Sequence, residues 1–148
     1  MPRCCANLPA DMGMEYVLFT RHEAAFCSGR ALTAVPTTWP TEKRMVRIAW
    51  EQLAWPWQAR QQKVELLHSM AFVTPWLSRC PAVITVYDLS FLHFPESFPA
   101  SQRGYLTTQT RRSCQRARRV ITISQSGRQD VHRFLVCHCP ALMWCCQG

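Results

Sequence analysis

The feature that most constrains the fold is a short apolar run, Val83-Ile84-Thr85-Val86, that ends abruptly at the polar pair Tyr87-Asp88. A β-branched run without polar alternation is typical of a strand buried on both faces, as strands are in parallel sheets. Ligands of open parallel sheets bind just beyond the carboxyl ends of the strands. The sequence therefore places Tyr87 and Asp88 where an α/β protein binds its ligand.

Strand and helix signals alternate along the rest of the chain, which predicts βαβ units and an α/β fold. We expect a Rossmann-like, mostly parallel sheet with flanking helices. The predicted strands cover residues 15–20, 32–35, 64–67, 83–86 and 120–123. The predicted helices begin at residue 42 after an N-cap at Thr41, cover 101–119, and cover 126–134 after a capping box at Ser126. We expect Pro56 to break or kink the first helix, and residues 89–99 to form a loop.

Right-handed crossovers would bring the ends of the strands at 64–67, 83–86 and 120–123 to one edge of the sheet. Polar side chains follow each of these ends: Ser69 after His68, the pair Tyr87-Asp88, and Ser124. This edge is the candidate binding site.

The composition fits one globular domain. The chain has 148 residues, of which 48% are hydrophobic and 18% charged, a balance that excludes a disordered protein. No apolar run approaches the ~18 residues of a membrane span, and the N-terminus lacks the apolar segment of a secretory signal. We therefore expect a cytoplasmic protein.

The net charge of +8 is concentrated late in the chain, with seven arginines between Arg111 and Arg133. The favoured interpretation is a solvated helix face. Two alternatives stay open: a surface resting on anionic lipid headgroups, and a nucleic-acid footprint. Nucleic acid ranks last, because the sequence has neither Lys-rich blocks nor aromatic residues interleaved with basic ones.

Nine cysteines crowd toward the two ends of the chain. An odd number without a secretory signal argues against a disulfide framework. Cys137, His138, Cys139, Cys145 and Cys146 could suggest zinc, but their spacing matches no common two-by-two zinc pattern. The sequence therefore predicts neither a metal site nor a cofactor in these residues.

From about residue 15 to residue 134 the chain resembles the N-terminal domain of glycosyltransferase family 4, the retaining enzymes of the GT-B fold. The resemblance is closest to the mannosyltransferase-like branch. It rests on the order and spacing of several motifs, none of them specific alone: Tyr16-Val17-Leu18-Phe19-Thr20, Arg47-Ile48-Ala49-Trp50-Glu51-Gln52, His68-Ser69-Met70 with Pro75, the segment 83–95, and Ala117-Arg118-Arg119-Val120-Ile121-Thr122-Ile123-Ser124.

The resemblance implies that residues 15–135 are the acceptor-side domain of a sugar-transferring enzyme. A nucleotide-sugar donor would bind a C-terminal domain that these residues lack, so we expect a truncated chain that is inactive alone. The partners implied are that donor domain and a sugar or lipid-linked acceptor, with peripheral contact at the inner face of the membrane. The alternative is a non-catalytic Rossmann-like binding module.

Six residues are candidates for acceptor binding, and none is assigned a catalytic role: Tyr87, Asp88, Ser69, Ser124, Glu51 and Gln52. Many family members carry a His-Asp pair where this chain has Tyr87-Asp88, and a tyrosine hydroxyl can donate a hydrogen bond but cannot act as an imidazole near neutral pH. Each candidate has a structural alternative. Asp88 can cap its loop, Ser124 can satisfy backbone N–H groups at the next helix, and Glu51 and Gln52 can lie on a solvated or interdomain face.

The resemblance ends near Leu135. Residues 136–148 are interpreted as an out-of-frame tail, since permitted codons read one base back encode a Gly-x-Pro turn and a strand that fit the family. Cysteines in such a tail would have no selected ligand geometry. Residues 1–14 form an atypical start with no assigned domain.

Overall fold

The computed structural model describes residues 13–20, 32–135 and 142–144. The described part contains six strands and five α-helices. The strands are β1 Tyr16–Thr20, β2 Leu32–Pro36, β3 Leu67–Ser69, β4 Ala82–Val86, β5 Arg119–Thr122 and β6 Leu142–Trp144. The helices are α1 Arg44–Ala49, α2 Trp55–Gln61, α3 Ser90–His93, α4 Ala100–Arg116 and α5 Gln125–Leu135, with a π turn at Trp50–Ala54 and a 3₁₀ turn at Pro95–Ser97.

The strands form two parallel sheets. β1 pairs with β2, and a second sheet has the order β3-β4-β5-β6. Ser69 lies opposite Ile84, and Val86 lies opposite Thr122, so β4 and β5 end together and β3 ends two residues earlier. The α/β class and the parallel sheet with flanking helices are confirmed.

The main core lies where α4 and α5 pack on β4 and β5. Ile84, Val86 and Val120 have no solvent exposure, and neither do Val131 and Leu135 of α5. Burying each such side chain stabilises the fold by about 1.5–3 kcal/mol. The apolar run that predicted a doubly buried strand is therefore β4 at the centre of this core.

A smaller cluster joins the first sheet to the second. Ala59 of α2, Leu67 of β3 and Ala82 of β4 are buried together, and Phe19 of β1 packs against them. The Phe19 ring also meets the Trp55 ring edge-on, with centroids 6.4 Å apart. These contacts attach β1 and β2 to the rest of the molecule.

Pro56 interrupts the first helix by a change of hydrogen-bond pattern. The Trp55 N–H donates to the Trp50 carbonyl, five residues back, which closes a π turn. A proline has no N–H and clashes with the carbonyl four residues earlier, and the wider turn just before it accommodates both defects. The chain then continues directly into α2.

Four predicted boundaries are wrong. The first helix begins at Arg44 with Lys43 as a cap that makes no side-chain bond, so Thr41 is not its N-cap. The second predicted strand lies at Leu67–Ser69, because a turn with Lys63 at φ 54° occupies the preceding residues. Residues 89–99 contain α3 and the 3₁₀ turn. Ser124, two residues before Ser126, caps α5.

The aromatic side chains near the π turn and the loop after β3 belong only partly to the core. Phe72 packs edge-on against Phe91 with ring centroids 6.0 Å apart. Trp50 and Trp55 stack on each other at 5.9 Å, whereas the Trp57 side chain is 60% exposed.

Candidate functional site

The carboxyl ends of β4 and β5 form one edge of the sheet, which we call the β4–β5 rim. Tyr87 and Asp88 follow β4 there and both are exposed. The Ser90 N–H donates to Asp88 Oδ1 at 2.9 Å, a local turn that short acidic side chains often make. The capping role expected for Asp88 is thus present, and its second carboxylate oxygen remains for other partners.

Ser124 lies on the same rim and caps α5. Its Oγ accepts a hydrogen bond from the Gly127 N–H at 3.0 Å. A Cβ on Gly127 would lie 3.2 Å from that Oγ and 3.6 Å from the Tyr87 carbonyl oxygen. The bare glycine therefore lets the start of α5, with Ser124 as its cap, approach the Tyr87 backbone at the end of β4 closely.

The sequence predicted that Ser69 follows the end of its strand, and the structure shows that this is wrong. It is the last residue of β3, it is buried, and its Oγ donates to the Val73 carbonyl. The preceding His68 pairs its Nε2 with Thr85 Oγ1 at 2.9 Å, and burial lowers the pKa of His68. Both side chains hold β3 and its following loop in place.

Glu51 and Gln52 lie in the π turn and not at the end of a strand. Gln52 Oε1 accepts a hydrogen bond from the Trp76 N–H at 2.9 Å. Burial raises the pKa of Glu51, and the nearby Arg47, 3.7 Å away, partly offsets that shift. Within the described residues, neither Glu51 nor Gln52 forms a hydrogen bond or an ion pair with Tyr87, Asp88 or Ser124.

Several buried polar atoms around the π turn have no hydrogen-bond partner among the described residues. They include Gln52 Nε2, Trp76 Nε1 and Gln109 Oε1. Buried polar groups are normally paired, so such atoms call for a water or a ligand. Gln109 also donates to the Tyr105 hydroxyl at 3.3 Å.

One contact near the rim was not foreseen. His93 of α3 pairs its Nε2 with Asp130 Oδ2 of α5 at 2.8 Å, and its ring meets Phe134 edge-on at 5.2 Å. The two residues of the pair are 37 positions apart. The only usable signal was that α5 follows β5 and would pack beside the segment that follows β4.

No group of three potential metal ligands occurs among the described residues, and neither Cys80 nor Cys114 forms a disulfide there. The cysteines weighed as zinc ligands lie outside the described residues. No helix in the described ranges combines the length and the apolar character that crossing a bilayer requires.

The sequence profile of Glycosyltransferase Family 4 matches residues 5–143. The chain belongs to glycosyltransferase family 4. No curated protein and no solved structure matches it significantly. The matched range agrees with the resemblance seen in the motifs and with the parallel α/β fold of this family 4 chain.

The family match and β6 both reach into the segment interpreted as an out-of-frame tail. That interpretation stays a prediction. The nucleotide sequence around codon 135 tests it. If reading that sequence one base back does not encode the family pattern, the interpretation is contradicted.

Proposed function

We propose that this family 4 chain is the acceptor-binding half of a retaining enzyme that moves a sugar from a nucleotide-sugar donor to a glycan or lipid-linked acceptor. One observation carries the proposal: exposed Tyr87 and Asp88 lie beside the start of α5 at the carboxyl ends of β4 and β5. Ligands of open α/β sheets bind at this edge.

The chemistry of these two side chains suits a sugar. Asp88 keeps one carboxylate oxygen beyond its bond to the Ser90 N–H, and that oxygen can accept from a sugar hydroxyl. The Tyr87 hydroxyl can donate or accept, and its half-exposed ring offers an apolar surface. The unpartnered Gln52 Nε2 would serve as a further contact if the acceptor extends to the π turn.

In this proposal the chain positions the acceptor, and the donor half supplies the leaving group and the charge stabilisation. The 148 residues by themselves should then bind acceptor without transferring sugar. A lipid-linked acceptor would place the protein at the inner face of the membrane, in the cytoplasm.

The test is a titration of the isotope-labelled chain, followed by NMR, with mono- and oligosaccharides and a polyprenyl-phosphate-linked sugar. We expect shifts at the amides around Asp88 and Ser124, and binding about tenfold weaker in Tyr87→Ala and Asp88→Asn. Glu65→Gln is the matched control, since Glu65 is an exposed carboxylate before β3, at the opposite edge of the sheet.

Three results would count against parts of the proposal. Sugar transfer by the 148 residues alone would contradict the expected inactivity. Sugar binding that is unchanged in both Tyr87→Ala and Asp88→Asn would contradict the placement of the acceptor site at the β4–β5 rim. Acceptor binding without transfer, even after fusion to the donor half of a family 4 enzyme, would favour the non-catalytic binding module.

A further inference from the structure

The opposite edge of the sheet carries a second feature, a cleft of about 200 Å³. It lies where β4 begins and α4 ends, at the amino ends of the strands. At ~30 Å³ per water it has room for about seven waters, which suits a small ion with part of its hydration shell. Its walls are Thr74, Pro75, Ser78, Arg79, Cys80, Pro81, Ala82, Arg116 and Arg118.

The charge of this cleft is one-sided. Three of its lining residues are arginines, and none of the described residues that line it is acidic. Arg112 and Arg116 also line an adjoining cleft on the same helix. Burial raises the pKa of the Cys80 thiol in this cleft, and the charge of Glu65 acts in the same direction.

Backbone hydrogen bonds hold the chain segments that carry the arginines of the cleft. The Arg118 N–H donates to the Ala82 carbonyl at 2.7 Å, and the Ala117 N–H donates to Ser113 at 2.9 Å, which ends α4. On the other side Ser78 Oγ accepts from the Cys80 N–H at 3.1 Å. The arginines therefore project from short, hydrogen-bonded segments.

Within the described part of the chain, the guanidinium groups of Arg79, Arg116 and Arg118 make no hydrogen bond or ion pair. Nearby arginines do have partners: Arg112 lies over the Trp76 ring at 4.5 Å, and Arg119 donates to the Arg118 carbonyl at 2.9 Å. Three unengaged guanidiniums around one cleft form a high local positive potential.

We propose that this cleft binds a phosphate-bearing ligand, a phosphate or diphosphate group, independently of the sugar site at the other edge. Guanidinium forks match phosphate oxygens with two parallel hydrogen bonds, which makes arginine the preferred residue for this group. The Ser78 hydroxyl adds a donor at the mouth. The phosphate could belong to a soluble molecule or to a lipid headgroup.

The experiment titrates the full 148-residue chain with inorganic phosphate and pyrophosphate at constant ionic strength, and separately with phosphatidic acid vesicles. Calorimetry gives the affinity, and NMR shifts at Cys80, Ala82 and Ala117 give the place. We expect saturable binding, weakened about tenfold in Arg116→Gln and Arg118→Gln. Arg128→Gln, which removes the same charge from α5 at the opposite edge, should bind as the unchanged protein does.

The two titrations, with soluble phosphates and with vesicles, distinguish a soluble ligand from a lipid headgroup. Binding of pyrophosphate supports a soluble ligand, and binding of vesicles alone, lost in Arg116→Gln, supports a lipid phosphate. Absence of binding in both arms, or equal weakening by Arg128→Gln, would overturn the proposal. So would preferential binding of a DNA duplex with shifts spread over α4 and α5, because that result would assign the arginines to nucleic acid.

Discussion

At the scale of single residues, the choice between two serines decides how α5 begins. Ser124 and Ser126 both offer a hydroxyl before the helix, and the sequence pattern favoured Ser126. The structure shows that β5 ends at Thr122, so the helix begins at Gln125 and Ser124 caps it. Sequence patterns identify a cap region, but the end of the preceding strand selects the residue.

Replacing Ser124 by alanine should lower the free energy of unfolding by about 1 kcal/mol, within the 0.5–2 kcal/mol usual for a lost N-cap. The reason is that the Gly127 N–H loses its acceptor. Urea unfolding followed by circular dichroism measures the change. Ser126→Ala is the matched control with little expected effect, and equal losses in the two variants would contradict the assignment of the cap.

Glu51 should make stability depend on pH. Burial raises the pKa of Glu51 in the folded state above the usual value of a glutamate carboxyl, so the folded protein holds this proton more tightly than the unfolded chain. Stability from this group is therefore present below the unfolded pKa and is lost as the pH rises through the folded pKa. Nearby Arg47 reduces the shift without reversing it.

We expect Glu51→Gln to raise the urea midpoint at pH 7 and to leave it nearly unchanged at pH 4. The exposed carboxylate of Glu96 supplies the control, since Glu96→Gln should change neither midpoint. A Glu51→Gln variant that is less stable at pH 7 would show that the ion pair with Arg47 outweighs burial.

At the scale of elements, the helices and strands with strong sequence patterns were predicted correctly, whereas those that depend on local exceptions were not. The pattern identified β1, β4, β5 and α4 to within a few residues, because each has a long or strongly apolar signal. It misplaced β3, since nothing in the sequence marks Lys63 as a residue with left-handed backbone. It missed α3, whose four residues are too short for a helical period to show.

The two glycines within helices should respond differently to alanine. Gly104 of α4 has open space where a Cβ would go, so Gly104→Ala should stabilise the protein by about 0.5–1 kcal/mol through helix propensity. In Gly127→Ala the new Cβ would lie 3.2 Å from Ser124 Oγ. That contact should cancel the gain or reverse it.

Thermal or urea unfolding of the two alanine variants checks this pair directly. A gain of equal size at both positions would show that the start of α5 has room to move away from the rim.

At the scale of the whole molecule, stability rests on β4 and β5 and the helices that cover them. Ile84 has no solvent exposure, whereas Ile123 just after β5 is 41% exposed. Ile84→Val should lower the free energy of unfolding by about 0.5–1.5 kcal/mol, because a buried methylene is lost. Ile123→Val should change it far less, and denaturant unfolding that ranks the two in the opposite order would place the core elsewhere.

The rim could be predicted from sequence because parallel strands must end on the same side. Tyr87 and Asp88 were found for that reason. The positions of Glu51 and Gln52 could not be predicted, because the π turn reorients the helix that carries them. The arginine cleft was also out of reach, since it joins the loop before β4 to the end of α4, and only the packed structure brings Arg79 and Arg116 together.

The π turn before Pro56 has a consequence for comparisons within the family. Such a turn holds one residue more than the α turn it replaces, and one residue of α-helix corresponds to a rotation of about 100°. In a relative with one residue fewer between Trp50 and Ala54 and a regular α turn there, the later side chains of α2 would keep their direction, because the wide turn absorbs the extra residue. An alignment without a gap at this turn would pair Trp57 and Arg60 with residues that lie about 100° away around the helix.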